Sequence, residues 1–135
     1  MILVDTNLLL HAVNVEAPQH GRSFRVLRQL ANGSDKWALT WGTLYEFLRV
    51  ATHPRVFPAP LTFEQAWSAV RGWIGLPTCV VVCETPLHAE IVEQCRAESP
   101  RLAGNRVHDF HAAVLMREHA VSGILTLDED FRAFP

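Results

Sequence analysis

Asp5, Glu46, Asp109 and Asp128 are the residues of this chain best suited to doing chemistry together. Asp5 ends the apolar run MILV, Glu46 lies in LYEFLR, Asp109 in VHDFH, and Asp128 follows ILTL. Carboxylates gathered at one place repel one another and raise each other's pKa unless a cation neutralises them. A site made of all four would suit a hard divalent ion, Mg²⁺ or Mn²⁺, working on phosphate chemistry. Singly, each has a plainer use. Asp5 and Asp128 can cap helices, Glu46 can pair with Arg49 at i,i+3, and Asp109 can complement a helix dipole. The joint pattern, not any one acid, carries the argument.

The elements that must position these acids follow from hydrophobic periodicity and turn chemistry. Residues 1–4 read as a buried strand, with a helix starting at Asp5–Asn7. A helix over about 19–31 carries Phe24, Leu27, Leu30 and Ala31 at helical spacing and ends at Asn32-Gly33. Trp37–Thr40 is a strand, and 43–51 a helix with Leu44, Phe47, Leu48 and Ala51 on one face. Three prolines between His53 and Pro60 make a loop. Thr62-Phe63-Glu64-Gln65 is a capping box for a helix that stops by about residue 75. Cys79–Cys83 is a strand, Thr85-Pro86 a cap with proline at the first helical position, and the helix it opens runs to about Glu98. After a loop over 101–106, a helix over 107–120 sets Val107, Phe110, Val114 and Met116 near its buried side. Gly123–Leu127 is the last strand, and residues 128–135 a terminal turn.

Strands alternating with helices imply an α/β protein with a parallel sheet covered on both faces. Ligand sites in such sheets form beyond the carboxyl ends of the strands. Asp5 and Asp128 are expected there, with Glu46 and Asp109 in the first turns of helices facing the same edge.

Bulk properties narrow the function. A chain of 135 residues, 49% hydrophobic and 19% charged, is one domain able to bury a core. A net charge of −2 argues against a wholesale basic nucleic-acid binder, though not against nucleic acid as a substrate in a cleft rimmed by arginines. Cys79, Cys83 and Cys95 form no metal-ligand spacing and read as reduced, mostly buried thiols of a cytoplasmic protein. There is no signal-peptide pattern and no apolar stretch near the roughly 20 residues needed to span a bilayer. His108 and His111 flank Asp109 but lack the i,i+4 spacing of a helical zinc motif, so both are read as packing or supporting groups. Trp37, Trp41, Trp67 and Trp73 read as core or interface anchors, with Trp41 a candidate for base stacking.

In order and spacing, MILVDTNLLL, LYEFLRVATHPRVFP, GNRVHDFHAAVLM and ILTLDEDF resemble a PIN domain over the whole chain, 1–135, specifically a VapC-type toxin ribonuclease. The HPRVFP loop is similar to a subgroup abundant in mycobacteria. The resemblance implies a PIN-like α/β/α sandwich around a parallel sheet of four or five strands. It makes Asp5, Glu46, Asp109 and Asp128 the metal-binding quartet, with Asp130 an alternative to Asp128, directly or through water. It also implies that Asn7 and Thr126 support the site, and that one or two Mg²⁺ or Mn²⁺ ions activate a water for in-line RNA hydrolysis. The expected partners are a VapB-type antitoxin, an RNA substrate (tRNA or rRNA) and a second copy in a homodimer that assembles into a larger complex. The helix over 19–31 and the Trp67–Trp73 helix are candidate antitoxin contacts. Arg49, Arg55 and Arg106, the arginines nearest the acidic motifs, are candidate phosphate contacts.

Two other readings compete. An aspartyl-phosphate phosphatase also places an Asp after its first strand but needs a lysine at a later strand's carboxyl end. Lys36, the only lysine, precedes its strand. A catalytically inactive PIN domain serving as a binding scaffold is the other alternative, though inactive members usually lose an acid and here all four positions are filled.

Overall fold

Trp37–Thr40 is buried at every residue, as expected of a strand with neighbours on both sides and helices on both faces. In the computed structural model, which describes residues 1–57, 59–99 and 101–127, it is β2 of a four-stranded parallel sheet. The others are β1 (Ile2–Val4), β3 (Cys79–Val82) and β4 (Gly123–Leu125), in the order β3-β2-β1-β4. Ile2 pairs with Trp37 on one side and Gly123 on the other, and Trp37 pairs in turn with Cys79. The amide of Asp5 extends the β1–β4 ladder by one bond, to Leu125 O at 3.0 Å.

Alternation along the strands divides the core into layers. Val4, Trp37 and Leu39 pack with α1 (Thr6–Val13), α2 (His20–Asn32), α3 (Trp41–Ala51) and α4 (Phe63–Ile74). Leu3, Ala38 and Val82 pack with Ala112 and Met116 of α6 (Arg106–Glu118), against which α5 (His88–Glu98) lies through Cys95, Phe110 and Val114. The result is the expected α/β/α sandwich. Each fully buried side chain of Leu, Val or Phe size contributes about 1.5–3 kcal/mol relative to exposure. Leu44, Phe47, Leu48 and Ala51 all face this core, and Phe47 meets Trp73 edge-on at 4.9 Å.

The capping box is present as read: Gln65 N–H donates to Thr62 Oγ1, and Thr62 N–H to Gln65 Oε1. Other local expectations are corrected. α3 begins at Trp41 because the Thr40 hydroxyl caps it by accepting from Thr43 N–H, so Glu46 lies beyond the first turn. Thr85 does not cap α5, which starts at His88; its hydroxyl donates to Glu118 and accepts from Leu87 N–H instead. Phe24 and Val107 are about half exposed, since α2 buries Ser23 and Leu27, and α6 buries Phe110, Val114 and Leu115. Of the cysteines, Cys95 is buried and Cys79 partly so, but Cys83 is exposed just beyond the end of β3. The expected terminal turn over 128–135 lies outside the described residues.

Candidate active site

Asp5, Glu46 and Asp109 come from three separate elements and line one cleft together with Thr40, Gly42, Thr43, His108, His111 and Ala112. Asp5 stands at the carboxyl end of β1, Glu46 midway along α3, and Asp109 in the first turn of α6. A parallel sheet produces this convergence because every strand ends at the same edge. A larger depression of about 420 Å³, lined by Arg25, Arg28, Gln29, Asn32 and Gly33 on and just beyond α2, holds no acid and is remote from this chemistry.

Asp5 is held from several directions. Oδ1 accepts from Thr6 N–H at 2.8 Å, and Oδ2 accepts from the Thr126 hydroxyl at 2.7 Å. Thr126 Oγ1 in turn accepts from Asn7 Nδ2 at 3.1 Å, and Asn7 Oδ1 accepts from Leu127 N–H at 3.1 Å. This chain of bonds ties the start of α1 to the residues after β4. Its effect is to fix one carboxylate at the sheet edge, with Asn7 and Thr126 beside Asp5. The Thr6 hydroxyl plays a similar part for Glu46, lying 3.3 Å from both Glu46 Oε2 and Thr43 O. Among the described ion pairs none joins Glu46 to Arg49, so Glu46 is turned toward the cleft rather than along its own helix.

Beside the imidazoles of His108 and His111, the cleft offers three carboxylates and the hydroxyls of Thr40 and Thr43, and the carboxylate oxygens fit a hard cation such as Mg²⁺. The three acids do not crowd to bonding distance of a single point: among the described residues, the one set of three whose donor atoms all lie within 4.8 Å is Glu84, His88 and His111. Mg²⁺ keeps several of its waters, and carboxylates can hold it through them, so an open acidic cleft suits it. Asp128 and Asp130 lie outside the described residues. Arg49 and Arg55 are exposed, the latter in the turn after α3, and Arg106 is partly buried at the first position of α6.

Sequence reasoning missed the neighbourhood of His111. Its Nε2 lies 2.7 Å from Glu84 Oε1, and its ring meets that of His88 at right angles with centroids 5.8 Å apart. His88 Nδ1 lies 2.7 Å from Glu118 Oε2. Burial pushes the Glu118 carboxyl up, but bonds from the Thr85 hydroxyl, the His88 ring and Thr85 N–H outweigh it and bring it down to about 2. Glu84 is drawn below the ordinary range by its own backbone N–H and by His111. No spacing in the chain signals this group, because Glu84 and His111 are brought together by α6 packing beside the exit of β3.

Residues 2–135 match the PIN domain family. Ribonuclease VapC37 of Mycobacterium tuberculosis is 38% identical over 134 residues, spanning 99% of this chain and 92% of that protein. Ribonuclease VapC48 of the same species is 31% identical over 134 residues, 96% of this chain and 89% of that one. The fold is similar to the crystal structure of Mycobacterium tuberculosis VapC20, described as a sarcin-ricin loop cleaving toxin. The TM-score is 0.69 at 19% identity, with 100% of this chain and 97% of that chain covered. It is also similar to VapBC2 from Rickettsia felis bound to a DNA fragment from their promoter, with a TM-score of 0.68 at 19% identity, over 100% of this chain and 94% of that one.

Proposed function

The chain belongs to the PIN-domain family, alongside the VapC ribonucleases, and on that premise we propose that it is a metal-dependent endoribonuclease toxin restrained by a VapB-type antitoxin. The observation that carries this reading is the meeting of Asp5, Glu46 and Asp109 in one cleft at the carboxyl edge of the sheet. These three, with Asp128 or Asp130, would hold Mg²⁺ or Mn²⁺. Such an ion, when bound, lowers the pKa of water and offsets charge building on a scissile phosphate.

The residues have separable roles. Asp5 is a cation ligand whose orientation is set by Thr126 and Asn7, so little reorganisation is needed when the ion enters. Glu46, held by the Thr6 hydroxyl, faces it from α3. Asp109 brings the third carboxylate from the first turn of α6. Arg49, Arg55 and Arg106 are the phosphate contacts that would steer RNA to an otherwise acidic opening. Replacing Arg49 or Arg55 by Ala should weaken RNA binding and reduce its salt slope by about one; an unchanged slope removes that residue from the interface.

The substrate is an exposed loop of tRNA or rRNA, the kind of RNA whose bases can be splayed and recognised individually. Trp41 and Tyr45, both exposed on α3 with ring centroids 6.2 Å apart, offer stacking surfaces on the helix that carries Glu46. The antitoxin and a second copy of the chain would cover exposed apolar side chains, among them Phe24 on α2 and Phe63 on α4. Cytoplasmic action is part of the proposal; no described helix is long and apolar enough to cross a membrane.

The test is cleavage of total cellular RNA by purified protein with Mg²⁺ or Mn²⁺, with EDTA, and with Asp5→Ala in parallel. Discrete fragments that need the metal and vanish in the variant support the nuclease, and mapping their ends identifies the target. Inert, well-folded protein that binds no Mn²⁺ would instead point to a binding scaffold.

A further inference from the structure

Outside the acidic cleft, the geometry points to a second cation site, formed by Glu84, His88 and His111 and selective for Zn²⁺ or a similar borderline transition-metal ion over Mg²⁺. One donor atom from each residue lies within 4.8 Å of the others. Two imidazoles and one carboxylate form a donor set that tetrahedral Zn²⁺ accepts with an open fourth position, whereas Mg²⁺ prefers oxygen throughout.

The arrangement behind His88 is what distinguishes this group from a chance surface pair. A metal-bound imidazole characteristically gives its other ring nitrogen to a carboxylate or carbonyl, which fixes the tautomer and the ring plane. His88 Nδ1 is engaged by Glu118, whose side chain is only 1% exposed and is itself held by the Thr85 hydroxyl and N–H. That leaves Nε2 as the nitrogen available to a metal. The three ligands remain reachable, with the side chains of His88, His111 and Glu84 25%, 35% and 50% exposed.

Binding requires a modest local adjustment. Tetrahedral Zn²⁺ with bonds near 2.0–2.1 Å places ligand atoms about 3.3 Å apart. The His111–Glu84 contact of 2.7 Å must therefore open as the bridging proton leaves to solvent and the ion takes its place. Glu84, in the loop after β3 and with its side chain 50% exposed, can make this change by side-chain rotation. Once filled, the site would clasp the β3–α5 loop and the start of α5 to α6. His111 also lines the acidic cleft and lies two residues from Asp109, so the clasp would brace one wall of that cleft. The inference rests on the cluster itself and not on the nuclease reading.

Isothermal titration of the full chain with ZnCl₂, beside Co²⁺ absorption spectra, tests it. The expected result is one equivalent of Zn²⁺, bound in the presence of excess Mg²⁺ and retained in the double variant Asp5→Asn, Glu46→Gln. Glu84→Gln and His88→Gln should each weaken it at least about tenfold and shift the visible Co²⁺ bands. Glu118→Gln should weaken it about 10–100-fold through the ring it orients. Because Glu118 is buried and its variant can misfold, exposed Glu84 is the deciding position, with folding checked by circular dichroism. Zn²⁺ affinity unchanged in Glu84→Gln, or lost in the Asp5/Glu46 double variant, overturns the site; the latter would mean that Zn²⁺ enters the acidic cleft. Mn²⁺ failing to bind while Zn²⁺ still binds would count against the nuclease and leave this site standing.

Discussion

In the acidic cleft, Asp5, Glu46 and Asp109 present oxygen donors that are held apart, whereas His111, on the same helix as Asp109, joins Glu84 and His88 in a tight set of mixed donors. The first group is aimed by hydroxyls: Thr126 on Asp5 and Thr6 on Glu46. The second is closed by contacts of opposite character, Glu84 with His111 and Glu118 with His88. Carboxylates brought toward one another repel and wait on an external cation. A carboxylate and an imidazole attract once the ring is protonated, and can pack to hydrogen-bonding distance unaided. The contrast sets two donor groups of different character side by side, carboxylate oxygens in one and mixed nitrogen and oxygen in the other.

The sharpest way to break this comparison is Asp5→Ala. RNA cleavage should fall by at least about a hundredfold, with Mn²⁺ affinity falling alongside, since a ligand is removed rather than moved. Full cleavage by the variant would place the chemistry elsewhere. Thr126→Val comes next. It keeps the shape but deletes the hydroxyl that orients Asp5, and activity or metal affinity should drop about tenfold or more, with Thr126→Ser restoring it. If Ser rescues nothing, the Thr126 contribution is packing rather than orientation.

Cysteine labelling compares the two ends of β3, one remote from the histidine cluster and one beside it. Burial pushes the Cys79 thiol up to about 11, while Cys83 is exposed next to Glu84. The thiolate is the reactive form, so at pH 8 only about a thousandth of Cys79 is ionised, and its labelling should rise about tenfold per pH unit until pH approaches 11. Iodoacetamide with peptide mass spectrometry should therefore find Cys83 modified first; prompt labelling of Cys79 at pH 8 would mean that β3 opens readily. The smallest effect concerns the end of α6, the helix shared by both regions. Ala120 sits at φ 53 beyond the helix, with Val121 N–H bonded back to Met116 O. That is a left-handed helix stop usually filled by glycine. Ala120→Gly should stabilise the fold by about 0.5–1 kcal/mol in urea titration, and a loss of stability would contradict this account of the helix end.

Much of the frame was readable from residue patterns because it depends on local chemistry. The strand Trp37–Thr40 and the capping box at Thr62 rest on side chains adjacent in sequence, and both are found as read. Errors fell where a local signal met a competitor, either near in sequence or brought near by folding. Thr40 and Thr43 both offer a helix start, and the structure uses Thr40 as the cap with Thr43 N–H as the donor. Thr85-Pro86 has the form of a cap, yet a buried Glu118 thirty-three residues away takes the Thr85 hydroxyl. Helical spacing groups Phe24 with Leu27, Leu30 and Ala31, but only tertiary contact decides which stripe of α2 is covered.

The chain by itself determined that Asp5 stands at a strand end and Asp109 at a helix start, because apolar runs, caps and turn residues act over a few positions. It determined an α/β alternation as well, and with it the edge at which Asp5 belongs. Tertiary structure decided what meets at that edge. The Asn7–Thr126–Asp5 relay spans some 120 residues of chain and exists because β1 and β4 are hydrogen-bonded neighbours. The joining of Glu84 and His88 with His111 exists because α6 packs against α5 beside the end of β3. Neither has a signature in spacing, since the contact is made by packing between layers, and packing is not written in any single stretch of residues.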